Sequence, residues 1–105
     1  MNTKKIILPG GAGLVGQNLV AQLKAQGYNN IVVLDKHGYN LKVLQKLHPD
    51  VLCEQVDLSI TSSWAHHFVG AYAVVMLQAQ IGGVRADDFV LNNEQATENI
   101  LASIV

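Results

Sequence analysis

The stretch Pro9-Gly10-Gly11-Ala12-Gly13-Leu14-Val15-Gly16 constrains this chain more than any other. It follows the short apolar run Ile6-Ile7-Leu8 and precedes a segment in which Leu14-Val15, Leu19-Val20 and Leu23 recur at helical spacing. Gln17, Gln22, Lys24 and Gln26 fall on the other face of that segment, and Gly27 supplies a stop signal. The order is therefore strand, glycine turn, helix. Glycines at 10, 13 and 16 each have a physical role in it: Gly10 permits the tight turn, Gly13 lets backbone approach a phosphate without a Cβ in the way, and Gly16 lets the helix pack closely on the strand. The free N–H groups of a helix starting near Leu14 then offer a positive end to that phosphate. A glycine-rich turn can be merely a turn; its place between strand and helix is what supports phosphate binding. A Walker-type loop is a poor competitor, because it needs Gly-Lys-Ser/Thr where this chain has Gly16-Gln17-Asn18.

The rest of the chain continues the alternation. Ile31-Val32-Val33-Leu34 is a second β-branched run, ended by Asp35. Tyr39 to Leu47 forms a helix with Leu41, Leu44 and Leu47 on one side, stopping at His48-Pro49. Val51 to Val56 is a third, less regular strand, and Ser59 to Phe68 holds a short helix with Thr61, Ser62 and Ser63 as candidate N-caps. Ala71 to Leu77 is the fourth strand, and from about Asp87 a helical pattern runs to the last residue. Parallel strands need crossovers of the kind these helices supply, and near-continuous Ile/Val runs mark strands covered on both faces. The expected fold is α/β, a doubly wound parallel sheet with about four strands in the order 3-2-1-4, over one domain spanning 1–105. The fourth strand is then an apolar edge, from which self-association is expected.

Composition sets outer bounds. Half of the 105 residues are hydrophobic, 14% are charged and the net charge is −1, so nothing electrostatic points to nucleic acid or to an anionic membrane. The longest apolar run, Ala71 to Leu77, falls far short of the ~20 residues of a membrane span. Only three strongly apolar residues separate Lys5 from Pro9, too few for a signal-peptide core. The single cysteine, Cys53, cannot close an internal disulfide, and a cytoplasmic protein is expected.

Two acids follow strands where a nucleotide would need them. Asp35 stands nineteen residues beyond Gly16, where a carboxylate accepts the hydroxyls of an adenosine ribose and repels a 2′-phosphate. That favours NAD over NADP, although Lys36 and His37 soften the preference. A helix cap or a solvated loop acid is the alternative role for Asp35. Asp57-Leu58 follows the third strand, where the acid can accept the adenine amino group and the leucine can line the ring. Capping of Ser59 by Asp57 is an equally available explanation.

Taken in order, these residues resemble the extended short-chain dehydrogenase/reductase family, the NAD-dependent nucleotide-sugar epimerases and dehydratases. The segment Gly10–Gly16 is similar to that family's Gly-Gly-x-Gly-[aromatic/aliphatic]-[Ile/Val]-Gly opening, with Leu14 and Val15 at its variable apolar places. Asp35 and Asp57-Leu58 match its ribose and adenine acids, and Leu77-Gln78-Ala79 resembles the end of its fourth strand, over the cofactor's pyrophosphate and nicotinamide ribose. The segment from Asn93 to Leu101 resembles Asn-x-x-Gly-Thr-x-Asn-[Leu/Ile]-Leu, with Asn93 at the active-site border. The resemblance implies a Rossmann fold, a dinucleotide cofactor (NAD rather than NADP) and a nucleotide-sugar substrate for the intact enzyme; a homo-oligomer is expected from the apolar edge of the fourth strand.

The departures matter as much. Pro9 stands where Thr is usual, which removes a hydroxyl and a backbone donor. Tyr72, Met76 and Gln78 replace the usual Asp, His and Ala, and Ala96 replaces Gly. Family catalysis resembles hydride transfer assisted by a Tyr-x-x-x-Lys pair. Tyr28, Tyr39 and Tyr72 are followed four residues later by Val32, Val43 and Met76, so that pair is absent. The expectation is therefore a cofactor-binding fragment without catalytic residues, and the alternative is a non-catalytic, redox-sensing NAD(P) module of the same superfamily. No metal site is expected: His66 and His67 are adjacent and diverge on a helix, and His37 and His48 lie in different connections.

Overall fold

Consecutive side chains of the first strand enter two different cores. Ile6 and Leu8 join one buried cluster and Ile7 the other, the alternation that a pleated strand covered on both faces requires. The computed structural model describes residues 4–60, 63–77 and 99–100. Within them, β1 (Lys5–Pro9), β2 (Asn30–Asp35), β3 (Leu52–Gln55) and β4 (Ala71–Val74) form one sheet in the order β3-β2-β1-β4, with every pairing parallel. This is the doubly wound, Rossmann-like arrangement expected from the sequence.

Helices α1 (Leu14–Ala25) and α2 (Gly38–Leu47) cover one face. Val20, Leu41 and Leu44 pack there against Ile6, Leu8, Ile31 and Val33. On the other face Trp64 and Phe68, from a 3-10 helix at Ser63–Phe68, meet Ile7, Val32, Leu34, Leu58 and Ile100. The Trp64 and Phe68 rings meet edge to face at 5.7 Å, and Trp64 Nε1–H donates to the Ile60 carbonyl at 2.8 Å. Each such fully buried side chain contributes on the order of 1.5–3 kcal/mol. Asn99 and Ile100 are helical, and the remainder of the expected last helix lies outside the described residues.

The helix ends follow local chemistry. Gly27, at φ +95°, closes α1: its N–H bonds the Lys24 carbonyl while the Tyr28 N–H reaches Leu23. After α2, the Gln45 amide donates to the carbonyls of His48, Pro49 and Val51 and so holds the turn into β3. Two side-chain expectations fail. Leu47 is 63% exposed, because three-residue steps from Leu41 through Leu44 rotate it about 120° away from the buried stripe. Leu14 and Val15, expected on the apolar face of α1, are 78% and 68% exposed, and only Gly16 and Val20 of that helix are fully buried.

The fourth strand is shorter than its apolar run, and Pro9 explains why. Ile7 is registered with Val74, and the Val75 N–H donates to the Ile7 carbonyl at 3.0 Å. The next rung of a parallel ladder needs an N–H at position 9 to reach the Val75 carbonyl, and proline has none. Leu77 N–H still reaches the Pro9 carbonyl at 2.8 Å, so the chain stays alongside β1 while regular pairing ends at Val74.

Candidate nucleotide-binding site

Pro9 delivers the chain from β1 into the glycine loop. Gly10 takes φ +75°, a conformation open to glycine, and its N–H donates to the Leu34 carbonyl at 2.6 Å. Ala12 is then gripped on both sides of its backbone. Its N–H donates to Asp35 Oδ2 at 3.1 Å, and its carbonyl accepts Gln17 Nε2–H at 2.8 Å. Asp35 is only 6% exposed, and its Oδ1 accepts the His37 N–H at 3.0 Å. One carboxylate therefore ties the loop after β1 to the loop after β2. Gln17, placed on the solvent face by periodicity, belongs to the loop instead.

The three motif glycines do different work here. A Cβ on Gly16 would stand 2.0 Å from the Gly11 carbonyl oxygen, so the close approach is between α1 and the loop, rather than between α1 and the strand as expected. Gly11, the second glycine of the Gly-Gly-x-Gly opening, is also required: its Cβ would meet Leu8 Cβ at 2.8 Å. Gly13 is the opposite case, for a Cβ there meets nothing within 4 Å. Nothing in the described fold demands glycine at 13.

Helix α1 starts from Gly13 without a side-chain cap and without an acid in its first turn. The first N–H groups of a helix have no intrahelical partners, so the positive end of α1 opens onto the space beside Gly13.

The other expected residues gather at the same carboxyl end of the sheet. Val56 N–H donates to the Asp35 carbonyl at 2.9 Å, which sets the Asp57 turn beside β2. Asp57 is exposed, and its Oδ1 accepts the N–H of Ser59 at 3.0 Å together with the Ser59 hydroxyl. Asp57 thus closes a turn over Ser59 rather than capping a helix, and the described hydrogen bonds leave its Oδ2 unused. Leu58 is buried in the second cluster, so its side chain serves the core. Its carbonyl accepts Asn99 Nδ2–H at 3.0 Å, a contact over 41 residues that periodicity did not reveal. Lys36 is exposed beside Asp35, and Leu77 lies alongside Pro9. Gln78, Ala79 and Asn93 lie outside the described residues.

A family model for the NAD dependent epimerase/dehydratase family matches residues 6–105. The chain belongs to that family. Solved structures show the same fold. The Bordetella bronchiseptica enzyme WbmG, in complex with NAD and UDP, is 19% identical with a TM-score of 0.81, over 97% of this chain and 34% of that one. The UDP-glucuronic acid 4-epimerase of Bacillus cereus, in complex with UDP-glucuronic acid and NAD, is 24% identical with a TM-score of 0.76, over 94% and 35%. A yeast methylglyoxal/isovaleraldehyde reductase complexed with NADPH is 18% identical with a TM-score of 0.76, over 95% and 32%. The chain spans about a third of the length of these structures.

His66 and His67 do not diverge as expected on an α-helix: in the 3-10 turn their ring centroids lie 4.0 Å apart, and His67 Nε2 contacts Glu54 Oε2. Among the described residues no group of three or more side chains is placed to hold a metal ion, and no helix is long and apolar enough to cross a membrane. Cys53 is half-buried against the first cluster, and burial pushes its thiol pKa up, away from the thiolate a nucleophile needs.

Proposed function

We propose that this chain is the NAD-binding segment of an NAD-dependent nucleotide-sugar epimerase or dehydratase. The carrying observation is Gly13: a glycine that no described packing requires stands before an uncapped helix start, with open space where a phosphate would approach. In this reading the N–H groups from Gly13 to Gly16 bind the pyrophosphate, with Leu14 and Val15 beside it. Asp35 has acceptor capacity left after its two backbone bonds, and it takes the hydroxyls of the adenosine ribose. Its charge disfavours a 2′-phosphate, and exposed Lys36 tempers that preference. Asp57 borders the adenine, with Leu58 offering only its backbone there, and Leu77, Gln78, Ala79 and Asn93 serve the nicotinamide half.

When bound, NAD supplies a hydride acceptor at a sugar carbon. The residues of this chain bind and orient the cofactor; none is assigned to proton transfer, in keeping with the absence of a Tyr-x-x-x-Lys pair.

Gly13→Ala tests the reading. Gly13 has φ −74° and ψ −177°, which alanine adopts freely, so the substitution should cost at most about 1 kcal/mol of stability. Its methyl group fills the phosphate space, and NAD affinity by calorimetry should fall at least about tenfold. Unchanged affinity in a folded variant would overturn the assignment.

A further inference from the structure

Asn99 ties a late part of the chain to the site. Its Nδ2–H donates to the Leu58 carbonyl at 3.0 Å, joining the last described helical turn to the turn that follows β3. Several bonds meet at that turn. Val56 N–H fixes its start to the Asp35 carbonyl, Ser59 holds Asp57 Oδ1, and Asn99 holds the peptide after Leu58. The Leu58 side chain is buried among Ile7, Val32, Leu34 and Trp64, so Asn99 is what satisfies a carbonyl on a residue that cannot turn outward. With the Leu58 carbonyl and Asp57 Oδ1 both fixed, the direction of the unused Asp57 Oδ2 is fixed as well.

We infer that Asn99 is a positioning residue for base recognition: it holds the Asp57 turn so that the spare carboxylate oxygen reads the exocyclic amino group of adenine. The inference rests on the NAD-binding reading and deepens it. A carboxylate accepts from the 6-amino group of adenine and is repelled by the 6-oxo group of hypoxanthine. Base discrimination therefore reports how well Asp57 is aimed, whereas overall affinity reports everything.

The test is a titration of the wild-type chain, Asn99→Ala and Asn99→Ser with NAD and with nicotinamide hypoxanthine dinucleotide. The wild type should favour NAD about tenfold or more, the worth of one hydrogen bond to a charged group. Asn99→Ala should bring that ratio to about two or below, and Asn99→Ser, which keeps a short donor, should recover part of it and guards against loss of the fold. If both variants weaken the two nucleotides equally with the ratio intact, Asn99 is structural only and the inference falls. If the wild type binds both equally, Asp57 does not read the amino group; the inference falls while the cofactor assignment stands. If the wild type binds neither, it is the cofactor assignment itself that has failed.

Discussion

The backbone N–H of Ala12 donates to Asp35 Oδ2 at 3.1 Å, within a buried contact that joins the glycine loop to the end of the neighbouring strand. The acid that discriminates the ribose in the proposed function is therefore also a structural tie. Asp35→Ala orphans the buried Ala12 donor and releases the His37 N–H. It is expected to lower stability by about 1–3 kcal/mol with no nucleotide present, as measured by urea denaturation. Stability within about 0.5 kcal/mol of wild type would show that the tie carries nothing.

Gly16→Ala should behave unlike Gly13→Ala. Its methyl group would lie 2.0 Å from the Gly11 carbonyl oxygen, in backbone that has no room to yield. A loss of more than about 3 kcal/mol, or failure to fold, is expected on chemical denaturation.

Pro9→Ala supplies the donor that the β1–β4 ladder lacks. The new amide at position 9 should pair with the Val75 carbonyl and exchange its hydrogen slowly in native-state exchange. Exchange at the free-peptide rate would mean that the ladder breaks at Val74 for another reason.

At the far end of α1, Lys24 Nζ meets Asp50 Oδ1, and the hydrogen bond from Lys24 holds the Asp50 pKa below its ordinary value. A carboxylate whose folded pKa is depressed stabilises the fold above its unfolded pKa, about 3.9, and loses that contribution as pH falls below it. Asp50→Asn should therefore lower Tm slightly at pH 7 and in low salt, with the difference shrinking as pH falls below the unfolded pKa of about 3.9. A difference independent of pH would assign the effect to something other than charge.

Much of the fold was legible because burial on two faces leaves long β-branched runs, and Ile6-Ile7-Leu8 and Ile31 to Leu34 are such runs. The expected strand order is that of the doubly wound fold and matches the sheet found. Periodicity failed where a residue serves the loop rather than the core. Gln17 turns toward Ala12, and Leu14 and Val15 stand exposed at the helix start. The missing N–H of Pro9 was visible in the sequence, but only the register identified Val75 as the carbonyl that loses it. Asn99 was invisible in its role, since no local pattern announces a partner 41 residues away.

The most direct measurement is calorimetric titration of the chain with NAD and with NADP. Binding of NAD, with NADP weaker by several-fold, is the predicted result. A folded chain that binds neither nucleotide, or that prefers NADP, would contradict the account.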